Sequence, residues 1–340
     1  MQAVSSTTQN FFVTGATGFV GTHLTRALIE RNGSGSVIAL VHPRRRASEA
    51  AAYSFLQQHK ARIIECDLLE LPRVRPAVPE FDVLVHLAAS AEPENPRADF
   101  SVNDVGTRCL IEWLGSGLRG RRLVFTSTLA CVDSASSSGF ITETTPCTPR
   151  TPYGRTKLRG EEIIRAGRSE FGYDFTILRL CTIIGLGFRE QGMFGLCQRL
   201  LERQALASRI MWPGKTSFLA MRDLVRLIQR IPTEAKAANE TFVCSNGENP
   251  TFDIVLEWIA RLHGIERRRV WFPRVLWPLL GRVAWSAAGS PLVPPRLRTT
   301  AWRAANIIRD GICADATKMN NLFGRDYQSV QEALRESYAS

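Results

Sequence analysis

The 340-residue chain is expected to form an α/β structure, a Rossmann-type doubly wound parallel sheet with a smaller C-terminal region. Three observations predict it. Short apolar runs alternate with helix-like stretches through the first half, the pattern of repeated βαβ units. Gly15, Gly18 and Gly21 follow the first apolar run at GxxGxxG spacing and open an amphipathic stretch. After about residue 185 the alternation weakens, and Gly, Pro and Trp become frequent.

In chain order, strands are expected at Phe11 to Thr14, Ser36 to Val41, Arg62 to Glu65, Phe81 to Leu87, Leu123 to Ser127 and Phe175 to Leu180. Helices are expected at Phe19 to Glu30 and Val102 to Leu114. Thr151 and Pro152 have the residue types of a helix N-cap and first helical position, so another helix should carry Tyr153 and Lys157 one turn apart on one face. The domain expectation is 1–185 for the Rossmann unit, with some later segments returning to it, and 186–340 mainly for substrate binding. Within the second part, Trp271 to Trp285 is the most apolar segment, but Arg274, Arg282, Pro273 and Pro278 break it well short of the ~20 residues that span a bilayer. Core packing, a lid over substrate and weak peripheral contact with a membrane surface are its three readings, in that order.

An apolar content of 44% with 22% charged residues is ordinary for a soluble globular chain. The N-terminus lacks the basic and apolar regions of a signal peptide, which makes the cytoplasm the expected compartment. Eight cysteines without a CxxC pair read as reduced, mostly buried thiols. Five scattered histidines with no paired spacing give no metal site. The net charge of +11 lacks the aromatic interleaving of a nucleic-acid surface, so no nucleic-acid partner is expected.

The glycine loop carries the first chemical signal. Between a strand and a helix, such glycines let the backbone turn tightly and approach a pyrophosphate at the helix N-terminus. Thr17, Phe19 and Val20 belong to the same cradle. After the second strand, where an NAD site would place an acid, stand His42, Pro43 and Arg44 to Arg46. Arginine forks at Arg44 and Arg45 suit a 2′-phosphate, so NADP(H) is favoured, with NAD(H) the alternative. Asp67, followed by Leu68, is placed to meet the adenine amino group. Tyr153 and Lys157 carry the second signal. A free phenol titrates near ~10, and lowering it by about 3 units takes roughly 4 kcal/mol. Lys157, the helix N-terminus and a cationic nicotinamide together could supply that.

With these residues in view the chain resembles the extended short-chain dehydrogenase/reductase family, also called the NAD-dependent epimerase/dehydratase family. The likeness extends to His86-Leu-Ala-Ala89, Asn103, Phe125-Thr-Ser-Thr128, Leu178-Arg179 and Phe218 to Asp223. The resemblance implies that Tyr153 is the general acid/base and that Lys157 grips the nicotinamide ribose. Thr128, 25 residues before Tyr153, takes the place of the family's catalytic serine, with Ser127 as the substitute if the alignment slips by one. Asn103 would hold a water or a backbone bend that relays protons to Lys157. Leu87, Ala88 and Ala89 would line the cofactor, and Arg179 and Thr182 would reach substrate. A homodimer paired through two helices is a further implication.

Family members that handle nucleotide sugars carry an Asn three residues after the Arg of the Leu-Arg pair and an Arg seven residues before the later Asp. This chain has Thr182 and Thr216 there. The departure favours an NADPH-dependent ketoreductase or alcohol dehydrogenase acting on an apolar, sterol-, polyketide- or lipid-like small molecule. A nucleotide-sugar epimerase, dehydratase or 4-ketoreductase is the first alternative, although Leu129 replaces the acid that dehydratases place after the catalytic Ser or Thr. A non-catalytic NADPH-binding sensor is the second.

Overall fold

The structure, a computed structural model, describes residues 9–45, 49–91, 99–132, 139–187, 193–309 and 313–338. The first half runs β1 (Phe11–Thr14), α1 (Phe19–Asn32), β2 (Val37–Val41), α2 (Ala50–Gln58), β3 (Arg62–Glu65), α3 (Leu71–Val74), β4 (Val83–His86), α4 (Ser101–Leu114), β5 (Arg122–Thr128), α5 (Pro152–Phe171) and β6 (Asp174–Leu180). There follow β7 (Thr182–Ile184), α6 (Met193–Glu202), α7 (Leu206–Arg209), β8 (Phe218–Ala220), α8 (Met221–Arg230), β9 (Glu240–Cys244) and α9 (Phe252–Leu262). The chain closes with α10 (Trp277–Gly289), α11 (Pro295–Arg309), α12 (Thr317–Phe323) and α13 (Val330–Tyr338).

Seven parallel strands form the main sheet in the order β3-β2-β1-β4-β5-β6-β9. The order reverses between β1 and β4, and there the carboxyl ends of the strands leave a crevice. Alternate residues serve opposite faces. Phe11, Val13, Ala39 and Val85 pack with Leu24 and Leu28 of α1 and with Leu224 and Ile228 of α8. Phe12, Leu40, Leu84 and Phe125 pack with Leu110 of α4 and Ile164 of α5 on the other side. Burial on both faces explains why β1, β2 and β4 read as continuous apolar runs. A third core gathers Phe194, Cys197, Phe218, Leu256 and Leu334 around the two-stranded sheet β7–β8.

Several boundaries differ from the expected ones for local reasons. Ser36 stays outside β2 because its hydroxyl donates to the Gly33 carbonyl (2.8 Å) and closes a turn. Phe81 and Leu87 flank β4 without joining its ladder. β5 and β6 each begin one residue earlier, and Arg122 pairs with Asp174 in register. β9, which comes 60 residues after β6 ends and adds to the same sheet, gave no comparable sequence signal. All eight cysteines are free, and only Cys147 is not buried. Among the described residues no helix is long and apolar enough to cross a membrane, and no cluster suits a metal ion.

Candidate active site

A cleft of about 970 Å³ opens at the switch point. One wall is the loop between β1 and α1. Gly15 holds φ +67°, and a Cβ there would lie 2.8 Å from the Ala88 backbone nitrogen, so only glycine lets the β1 and β4 ends approach this closely. Gly18 caps α1 with extended backbone, and the free N–H groups of the first turn face an anion site. Gly15, Thr17, Gly18, Phe19, Val20 and Gly21 all line the cleft, as do Leu87, Ala88 and Ala89 opposite them. These residues fit a dinucleotide pyrophosphate.

The end near β2 differs from expectation. His42, Asp67 and Leu68 line it, but Arg44 is exposed and outside the lining. Arg46 and the side chain of Arg45 lie outside the described residues. The Arg44 backbone N–H donates to His42 Nδ1 (3.0 Å), which leaves His42 Nε2 as the donor toward Asp67 (3.2 Å). The other Asp67 oxygen accepts from the Leu69 N–H at 3.1 Å. Glu49, which no motif singled out, enters the wall and accepts a hydrogen bond from the Thr17 hydroxyl.

The catalytic wall is built by α5. Thr151 accepts from the Gly154 N–H (3.0 Å) and Pro152 occupies the first turn, so the helix starts where the sequence placed it. At Gly154 a Cβ would lie 2.2 Å from the Ala130 carbonyl oxygen, and its absence lets α5 lie against the end of β5. Tyr153, Lys157 and Thr128 thereby face one cleft. Burial pushes the Tyr153 phenol up to about 12, against a hydrogen bond with Thr128. Burial also pulls Lys157 down to about 8, and its ammonium sits 4.2 Å from the Phe125 ring centroid. Desolvation therefore outweighs the Thr128 hydrogen bond at Tyr153, and a phenolate near neutrality needs further positive charge, of the kind an oxidised nicotinamide would bring.

Ser127 and Thr128 both line the cleft, but their hydroxyls have different partners. The Ser127 hydroxyl donates to Glu161 Oε1 (2.5 Å), so it is committed beneath α5, and Thr128 is the hydroxyl turned to Tyr153. The expected substrate contact at Arg179 does not hold. Arg179 is buried and bidentate on Glu161, with Nε to Oε1 3.0 Å and Nη2 to Oε2 2.9 Å, and it lies outside the lining. Thr182 lies outside the lining too, in β7. Glu161 follows Lys157 by four residues on the same helix, a spacing that signals a shared face; Ser127 of β5 and Arg179 of β6 bind it, and Arg165 of α5 lies 3.8 Å from it.

Asn103 is fully buried. Its side chain accepts from the Ser90 N–H (2.9 Å) and donates to the Ser90 carbonyl and to Thr156 Oγ1 (3.1 Å each). It thus ties Ser90, after β4, to Thr156 of α5. Behind it runs a polar chain. The Ala88 N–H donates to Thr14 Oγ1, and the Thr14 hydroxyl donates to His86 Nδ1 at 2.7 Å. His86 Nε2–H donates to Thr107 Oγ1 (2.9 Å), whose own proton goes to the Asn103 carbonyl. Every proton is placed, so His86 is held neutral, and burial pulls its pKa down to about 3.

The sign of the consequence is fixed. Between about pH 6.5 and 3 the unfolded chain binds a proton at residue 86 that the fold refuses, so stability falls as pH falls through that window. At full extent the loss is on the order of 5 kcal/mol. Denaturant midpoints measured at pH 7 and pH 4 should drop less for His86→Gln than for wild type; equal drops would remove His86 from the account.

The match to the NAD dependent epimerase/dehydratase family covers residues 11–245. The chain belongs to that family and is a nicotinamide-dependent enzyme. Among its relatives, sterol demethylase protein B of Methylococcus capsulatus is 32% identical over 268 residues, 77% of this chain and 76% of that protein. UDP-glucose 4-epimerase 4 of Oryza sativa is 30% identical over 198 residues, and the match spans 54% of this chain and 52% of the rice protein. The UDP-glucuronic acid 4-epimerase of Bacillus cereus, in complex with UDP-glucuronic acid and NAD, superposes with a TM-score of 0.71 over 97% of this chain and 98% of that one, at 20% identity. At that identity the superposition speaks for the fold alone.

Proposed function

We propose that the protein interconverts a secondary alcohol and a ketone on an apolar, sterol-like substrate, using NADP(H). The observation that carries this reading is the wall beside Thr128. Leu180 pairs with Thr128 in register, and Leu180, Cys181 and Ile183 line the cleft there, where a sugar diphosphate would call for polar partners. Thr216, at a position where nucleotide-sugar enzymes hold a cation, is buried and outside the lining. The relative matched over three quarters of both chains bears a sterol enzyme's name. In this reading Thr128 and Tyr153 hold the substrate oxygen by hydrogen bonds. Tyr153 gives or takes its proton, and Lys157 grips the ribose and supplies positive charge. A nicotinamide held in this cleft would supply the hydride chemistry at the carbinol carbon.

The NADP(H) preference rests on the missing acid after β2 and on the arginines that follow His42 in the sequence. Glu49 supports the second cofactor reading, NAD(H), since a carboxylate suits ribose hydroxyls and repels a 2′-phosphate. The rice relative supports a second substrate reading, epimerisation of a nucleotide sugar. Chemistry separates them, because epimerisation leaves the oxidation state of the sugar unchanged. Purified protein is assayed with a 3-hydroxysterol and with UDP-glucose, each with NADP+ and with NAD+. Net reduced nicotinamide from the sterol alone, faster with NADP+, is the expected result. Conversion of UDP-glucose without net nicotinamide change overturns the substrate assignment, and equal rates with the two cofactors overturn the preference.

A further inference from the structure

Between Glu266 and Asp310 the sequence contains nine arginines, no lysine and no acidic residue, and it holds four of the chain's seven tryptophans. That stretch includes α10 and α11, which pack against each other as a helical hairpin. Trp277, Gly281 and Ala288 form the inner face of α10, where a Cβ at Gly281 would meet the Arg309 side chain at 2.9 Å. The opposite face is apolar and open. Leu279 and Val283 of α10 are each 58% exposed there, and in the segments flanking the helix Trp271 is 79% exposed, Val275 83% and Leu292 92%. Arg274 and Arg282 stand exposed among them. Arg267 and Arg269 are tied to Asp253 and Glu257 at the hairpin's base.

We propose that this outer face of the α10–α11 hairpin docks on the surface of an anionic phospholipid bilayer. Apolar side chains on one helix face, a tryptophan at its edge and arginines beside them are the features that bind an interfacial helix to acidic headgroups. Charge decides the occupant. A second copy of the chain seated on this face would bring the same arginines into apposition, whereas an anionic surface neutralises them. The hairpin also touches the active site from its inner side. Arg303 of α11 lines the cleft, and Trp285 of α10 carries Arg150, the residue before the α5 N-cap, 4.2 Å from its ring centroid. Docking therefore sets the bilayer beside the wall of the cleft. The inference goes beyond the proposed reaction and does not depend on it.

The test is flotation of the full chain with vesicles of phosphatidylcholine containing 30% phosphatidylserine, and with pure phosphatidylcholine. The expected result is binding to the phosphatidylserine vesicles, at least tenfold weaker to phosphatidylcholine, and weakened by 0.5 M salt. Two exposed substitutions made together, Leu279→Asp and Val283→Asp, should cut the binding at least tenfold while leaving nicotinamide fluorescence on cofactor titration unchanged, which reports an intact fold. Arg274→Glu with Arg282→Glu gives a second, independent loss. Failure of the wild-type chain to float overturns the proposal. So does undiminished flotation of both variant pairs, or a stable dimer in vesicle-free solution that Leu279→Asp with Val283→Asp abolishes.

Discussion

Tyr153→Phe is expected to lower kcat by about 10³-fold or more while leaving cofactor affinity nearly unchanged. Positioned proton transfer is worth roughly 10² to 10⁴, and Phe removes the only atom through which residue 153 can exchange a proton. The ring itself stays, so its tilted contact with Phe100 at 6.2 Å keeps the helix start in place. Lys157 sits a turn away and is untouched by the substitution, so the ribose contact proposed for it should persist. The measurement is kcat with the preferred substrate, paired with a nicotinamide fluorescence titration. Retained turnover would take the acid/base role away from Tyr153. A parallel loss of cofactor affinity would show instead that the substitution had deformed the site. The pH profile adds a second readout. Burial holds the phenol near 12 in the free protein, so the profile of the working enzyme should show a basic group well below that value, lowered by the charge of the oxidised nicotinamide.

Glu161→Ala is expected to cost about 3 to 5 kcal/mol of stability, because it leaves the Arg179 guanidinium buried without its counter-charge. Glu161 and Arg179 are 1% and 6% exposed at their side chains, and the Ser127 hydroxyl loses its acceptor in the same step. Urea unfolding monitored by tryptophan fluorescence measures the loss. The control is Glu161→Leu with Arg179→Met, which removes both charges and should sit closer to wild type than either single variant. If the single Glu161→Ala protein unfolds at the wild-type midpoint, the pair contributes nothing to folding. Activity should fall as well, since Ser127 precedes Thr128 on β5 and Glu161 fixes α5 against that strand.

The most legible parts of the chain were those whose meaning is local. The GxxGxxG loop, the Thr151-Pro152 helix start and the Tyr153–Lys157 spacing each lie within about eight residues, and the backbone geometry of a turn or a helix translates such spacing directly into position. The strands β1, β2 and β4 were legible because burial on both faces demands an unbroken apolar run. β7 and β8, three residues each, left no periodicity to find. β9 lies at the edge of the main sheet and is only five residues long.

Local order also suggested cleft positions that the fold does not supply, at Arg44, Arg179 and Thr182. Arg179 stands in a motif that reads as a substrate contact, yet its side chain turns inward because Glu161, eighteen residues earlier on α5, offers a bidentate partner at the adjoining strand. Glu49 and Arg303 enter the cleft walls from segments with no motif, and Asn103 of α4 grips Ser90, thirteen residues earlier. Family membership, the strand–helix alternation, the glycine cradle and the Tyr153–Lys157 spacing followed from amino-acid order, because each depends on short-range patterns of residues. Which hydroxyl faces Tyr153, which charges are buried in pairs, and which side of α10 meets solvent were settled by the fold, because each depends on elements that only packing brings together.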